Sequence, residues 1–116
     1  MAKCYHLPPS AMRPLAIGYG SCIASVQITV DGKRVGYMYR ENPDGSTDSG
    51  WRFFSGNESQ SYADDAEHFE IYDVNTIANY DPGIIPFLDT DIGSAFARDV
   101  QGEFCKESMP DEPPSH

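Results

Sequence analysis

Positive charge is scarce in this chain of 116 residues: eight lysines and arginines face eighteen aspartates and glutamates, a formal net charge of −10. Nucleic acid needs a basic stripe to replace its counterions, so nucleic-acid binding is disfavoured, and an anionic membrane surface is disfavoured for the same reason. No apolar run of about 18 residues exists to span a bilayer. The opening "MAKCYHLPPSAMRPLAIGYG" holds no hydrophobic stretch of signal-peptide length, and Pro8, Pro9 and Pro14 interrupt it. Export is therefore not expected, and the cytoplasm is the expected location. Cysteine is sparse and odd in number. Cys4, Cys22 and Cys105 are widely spaced, which suits reduced thiols better than a disulfide framework or a cysteine-only zinc site.

Catalytic signatures are missing too. No glycine-rich phosphate loop follows a strand, no Gly-x-Ser-x-Gly elbow occurs, and no histidine pair has metal-binding spacing. "NPDGSTDSG" is turn-forming and polar, and only loosely resembles a calcium loop, because the alternating acids and the closing glutamate are absent. No metal and no cofactor is expected. Asp64, Asp65 and Glu67 cluster. Paired carboxylates can do acid–base work, but at this density of acids such a cluster reads first as a solvated face. His68 reads as a boundary residue for a similar reason. No catalytic residue is assigned.

What is present is a concentration of negative charge. Twelve acids lie between Glu41 and Asp91, and Arg52 is the one lysine or arginine among them. Such a field steers a basic protein into fast encounter, so a basic protein is the natural partner; the alternative is that the acids serve solubility alone. Asp44, Asp48, Glu58, Asp64 and Asp65, in the loops that flank Trp51, are the candidate partner-binding residues.

Local patterns predict a single α+β domain over 19–105, after a proline-marked arm (1–18) and before a polar, proline-rich tail (106–116). A chain of this length buries roughly two thirds of its unfolded surface, enough for one core. "SCIASVQITVDGKRVGYMYRE" predicts a hairpin, because two β-rich runs flank Asp31-Gly32. Val26, Ile28 and Val30 share one face of its first strand, and Val35, Tyr37 and Tyr39 alternate along the second. Residues 51–55 predict a central strand with Trp51 and Phe53 on one face and Arg52 and Phe54 on the other. Arg52 is expected in an internal ion pair. Ser61 offers a weak helix cap, and "FEIY" a strand. Asp73 caps a helix that carries Val74, Ile77 and Ala78. Asp81-Pro82 starts a further turn that Pro86 limits. "GSAFARD" and "GEFC" complete the set. The sum is a small, mainly antiparallel sheet of four or five short strands with short helices on one side. Trp51, Phe53, Ile77, Ile84 and Phe96 are the expected core or frame.

The segments "SGWRFFSGNE", "IYDVNTIANYDPGIIPFLD" and "GSAFARD" resemble a family of small bacterial proteins, long classed as a domain of unknown function. That family was later placed among the predicted immunity proteins of polymorphic toxin systems, as number thirty-three in the series. "ITVDGKRVGYMYRE" looks like its N-terminal part, and the similarity covers about 22 to 104. The resemblance implies a non-catalytic cytoplasmic protein that neutralises a cognate toxin by binding its active site or an essential surface. It implies no catalytic residues and nothing for the arm or the tail. The alternatives are a stand-alone interaction or ligand-binding module and, third, a small enzyme.

Overall fold

The structure is a computed structural model and describes residues 5–109. Trp51 and Phe53 sit near the middle of a mixed sheet, on strand β3 (Asp48–Phe54). Around it lie β1 (Ser21–Ser25), β2 (Tyr37–Arg40), β4 (Phe69–Asp73), β5 (Ala95–Arg98) and β6 (Phe104–Lys106). Among the described residues the sheet has six strands in the order β4-β1-β3-β2-β5-β6, one strand more than the upper expectation. The pair β1–β3 is parallel and the other four pairs are antiparallel.

Alternation of side chains decides what each face carries. Cys22, Ala24, Met38, Trp51, Phe53 and Phe96 point to one side. There they meet Ile28 of α1 (Val26–Thr29), Val74, Ile77 and Ala78 of α3 (Val74–Tyr80), Ile84 of the 3-10 turn Pro82–Phe87, and Leu88. This is the α+β arrangement the patterns predict. Trp51, Phe53, Ile77 and Ile84 are fully buried, and Phe96 is nearly so. The indole Nε1–H of Trp51 donates to the Leu88 carbonyl at 3.2 Å, which satisfies its one polar atom.

Two capping aspartates act as expected. Asp73 accepts from the Asn75 N–H at 2.9 Å and starts α3. Asp81 accepts from the Gly83 N–H at 3.0 Å and starts the turn that follows. The second carboxylate oxygen of Asp81 also takes the Val35 N–H at 3.0 Å and the Arg98 Nη2 at 2.6 Å. One buried acid thereby ties three segments together.

Three expectations are corrected. The Asp31-Gly32 hairpin does not form. Val26, Ile28 and Thr29 lie in the short helix α1 and are buried there, Val30 is its C-terminal cap, and β1 pairs with β3 and β4 instead of β2. Ser25 caps the helix by accepting from the Gln27 N–H at 3.1 Å. Gly32, at φ +77°, ends it with its N–H on the Ile28 carbonyl at 3.1 Å. The glycine supplies a left-handed helix terminus, which uses the same positive φ as a hairpin turn. Second, β3 begins at Asp48, inside the stretch expected to be loop, because Ser21 pairs with Asp48. Third, Ser59, and not Ser61, caps helix α2 (Gln60–Ala63), accepting from the Tyr62 N–H at 3.1 Å.

The described part of the arm lies along α3. Asn75 Oδ1 accepts the N–H groups of Leu15 and Ala16 at 2.8 Å, Asn79 Oδ1 accepts that of Arg13 at 2.8 Å, and Ala16 is buried. Cys4 in the arm and residues 110–116 of the tail lie outside the described residues.

Candidate functional site

Helices α1 and α3 and the turn Pro82–Phe87 gather on one face, whereas α2, against the expectation of helices on one side only, lies over the other face and leaves it partly open. The residues of that open face follow from the register. Tyr37 stands opposite Phe54, Tyr39 opposite Arg52, Arg52 opposite Ile23, and Ile23 opposite Ile71. The rings of Tyr39 and Phe54 stack, with centroids 5.7 Å apart and planes 16° from parallel. Tyr37 lies 5.9 Å from Phe54 on one side, and Phe69 lies 5.5 Å from it on the other. Helix α2 walls part of this face through Gln60 and Ala63, and Tyr62 reaches Phe69 edge-on at 6.4 Å. At the far end Ile71 is 74% exposed.

Arg52 lies in the floor of this face, only 4% exposed. Its Nη1 and Nη2 donate to the two oxygens of Asp48 at 2.9 and 2.7 Å, and its Nε donates to Glu41 Oε2 at 2.6 Å. The forked geometry of a guanidinium suits such paired acceptance. The hydrogen bonds from Arg52 hold the Asp48 carboxyl well below its ordinary value, and those from Asp48 raise Arg52 in turn. Arg52 therefore forms the internal ion pair expected of it, while Phe54 packs with Tyr37, Tyr39 and Phe69.

Three concavities run in series across this face. One, of about 330 Å³, lies between Tyr37, Tyr39, Phe54 and Glu58. The next, of about 360 Å³, is bounded by Ile23, Tyr39, Glu41, Phe54, Asp64 and Phe69. The third, of about 280 Å³, lies between Ile23, Asp44, Asp48, Arg52 and Ile71. Tyr39 and Phe54 border the first two, and Ile23 and Arg52 border the last two. The three form one trough that crosses β2, β3, β1 and β4.

Four of the five acids singled out in the sequence border this trough: Asp44, Asp48, Glu58 and Asp64. They differ in what they already hold. Asp48 is bound to Arg52 and also accepts the Asp44 N–H at 2.8 Å. Glu58 accepts the N–H groups of Ser55 and Gly56 at 2.8 and 3.0 Å. Burial pushes the Glu58 carboxyl up, but these backbone donors outweigh it and its pKa is lowered. Asp64 is exposed and takes the Gln60 side-chain amide at 2.9 Å. Asp65 stands apart. It caps the 3-10 turn Ala66–His68 and faces His68 Nε2 at 3.7 Å.

Sequence reasoning missed Tyr39, Phe54 and Phe69 as one surface, and with them Glu41. The alternation along 37–40 and 51–54 carried the signal for two of the rings. Their meeting depends on pairing between distant strands.

The thiols and histidines fall elsewhere. Cys22 is in the core, and burial pushes its thiol far up, away from the nucleophilic thiolate. Cys105 is exposed beside Asp99, and its thiol is also raised. His68 stacks on Tyr62 at 3.7 Å. A further concavity, about 760 Å³, lies where β2 begins and β3 and β5 end, next to Tyr37, and is lined by Lys33, Arg34 and Arg98. Arg98 is engaged internally by Asp81, by the Val35 carbonyl at 2.7 Å and by the Gly102 carbonyl at 2.5 Å. Among the described residues no helix is long and apolar enough to cross a membrane.

A family model described as the immunity protein Imm33 domain matches residues 22–108, most of the chain. No curated protein matches, and no solved structure does.

Proposed function

Because this chain belongs to the family of the immunity protein Imm33 domain, we propose that it is a non-catalytic bacterial immunity protein that neutralises a cognate toxin by direct binding in the cytoplasm. The toxin it meets is a basic protein, and neither nucleic acid nor membrane is its partner. The observation that carries this reading is the trough, an aromatic channel on the open face of the sheet whose banks hold Asp44, Asp48, Glu58 and Asp64. Aromatic side chains supply large contact area at low entropic cost. Acids around them speed encounter with a basic surface and reject acidic ones. Binding that covers the toxin's active site or an essential surface is then sufficient for protection.

Co-expression tests the reading. The reading frame beside the gene is expected to encode a protein that kills when expressed alone. This chain, expressed with it, is expected to rescue the cells and to co-purify with it. Continued killing in the presence of the folded chain, or a harmless neighbour, would overturn the proposal.

A further inference from the structure

We infer that the middle of the trough is a socket for one arginine side chain of the partner, carried on an extended segment that lies across the sheet. This rests on the toxin-binding reading and specifies what the toxin must present. The trough crosses four neighbouring strands, and their spacing makes that path about 14 Å, the length of four or five extended residues. At its centre, the stacked rings of Tyr39 and Phe54, with planes 16° from parallel, form an aromatic wall, and Phe69 packs edge-on against Phe54. A planar guanidinium stacks on such a surface and still directs its N–H edge outward. The acids beside the wall are placed to receive that edge. Glu41 remains 45% exposed while it holds Arg52, and Asp64, which borders the same concavity, is exposed.

The charge balance selects a cation. Glu41, Asp48 and Asp64 give −3 against +1 from Arg52, leaving −2 around the socket. Arg52 does not fill the place itself. It lies in the floor, and its three nitrogens donate to Glu41, to Asp48 and to the Trp51 carbonyl at 3.1 Å. A second copy of this chain is a poor occupant, because two bodies of charge −10 repel.

The test is an NMR titration of the labelled full chain with the blocked pentapeptide Gly-Gly-Arg-Gly-Gly, and with the same peptide carrying citrulline, which is uncharged, in place of arginine. The arginine peptide is expected to shift the amide signals of Tyr39, Glu41, Phe54 and Asp64, and to bind about fivefold more tightly than the citrulline peptide. Asp64→Asn is expected to weaken it about two- to fivefold. Tyr39→Leu, which keeps an apolar side chain, is expected to weaken it similarly, with an unchanged thermal midpoint showing that the fold survives. Equal binding of the two peptides, shifts centred on Lys33 and Arg34, or no shifts at millimolar peptide would each overturn the inference. Capture of the co-expressed toxin separates the two readings. If the wild type and both variants hold it equally tightly, the socket is wrong and the immunity reading stands. If the arginine peptide seats as described and no neighbouring toxin is captured or neutralised, the immunity reading fails.

Discussion

Arg52 grips Asp48 through two parallel hydrogen bonds, Nη1 to Oδ1 at 2.9 Å and Nη2 to Oδ2 at 2.7 Å, four residues apart on one strand. The pair is largely withdrawn from water, with side-chain exposures of 5% and 12%. A base so placed holds the outer face of the sheet together from beneath, and it fixes where Glu41 stands.

The first prediction concerns acid. The Asp48 carboxyl titrates well below its ordinary value in the fold, chiefly because Arg52 donates to it. A depressed carboxyl contributes stability that is present above the unfolded-state value, about 3.9, and is lost as pH falls towards the folded one. Asp48→Asn is therefore expected to cost about 1–3 kcal/mol at neutral pH. Its deficit against the wild type should shrink as pH falls below about 4. Urea midpoints of both proteins across that range check this. A deficit that stays constant with pH would show that the charge is not what matters.

The second concerns the core. Trp51 is fully buried, stacks with Phe53 at 5.9 Å and donates to the Leu88 carbonyl. Trp51→Ala is expected to cost about 3–5 kcal/mol. Trp51→Phe should cost less, because the ring keeps most of the volume and only the donor to Leu88 is lost. Chemical denaturation measures both.

Gly50 gives the third. Its φ is +88°, and a Cβ there would meet the Glu41 backbone carbonyl. Gly50→Ala combines left-handed strain with a backbone clash, so a loss of at least about 1–2 kcal/mol is expected. Because the displaced carbonyl belongs to the residue that holds Arg52, amide exchange should quicken at Arg52 as well as at Gly50. Protection confined to wild-type values at Arg52 would refute the coupling.

What the sequence made legible was local. Asp73 and Asp81 announce their helices because a carboxylate placed just before an apolar repeat satisfies N–H groups that nothing else will. Trp51 and Phe53 alternate with Arg52, so their face could be read from spacing alone. The misreading at Val26, Ile28 and Val30 has a physical cause. A β-branched run of period two looks like a strand, yet Ser25 caps a helix there and burial of Ile28 and Thr29 in the core outweighs propensity. The trough was not legible for a different reason. Tyr39 and Phe54 come from strands whose order, β1-β3-β2, is set by long-range pairing with one parallel contact, and no local signal states which strands are neighbours. Four of its acids could be named from their loops, but not the aromatic wall between them.

The last prediction separates two neighbouring acids that the sequence treats alike. Asp64 borders the trough, whereas Asp65 is occupied as the cap of the turn Ala66–His68. Both are exposed, so either can add to the long-range field. That field fades over about 8 Å at physiological salt, which leaves the short-range contribution to the residue on the trough's bank. Asp64→Lys is expected to slow association with the cognate toxin about tenfold at low ionic strength and to flatten its salt dependence. Asp65→Lys should slow it less, and it should also lower thermal stability slightly through the lost cap. Stopped-flow or surface-plasmon measurements over a salt series report the two rates. Equal effects from both variants would mean that only the overall charge steers the encounter. No effect from Asp64→Lys would place the toxin on another face of the sheet.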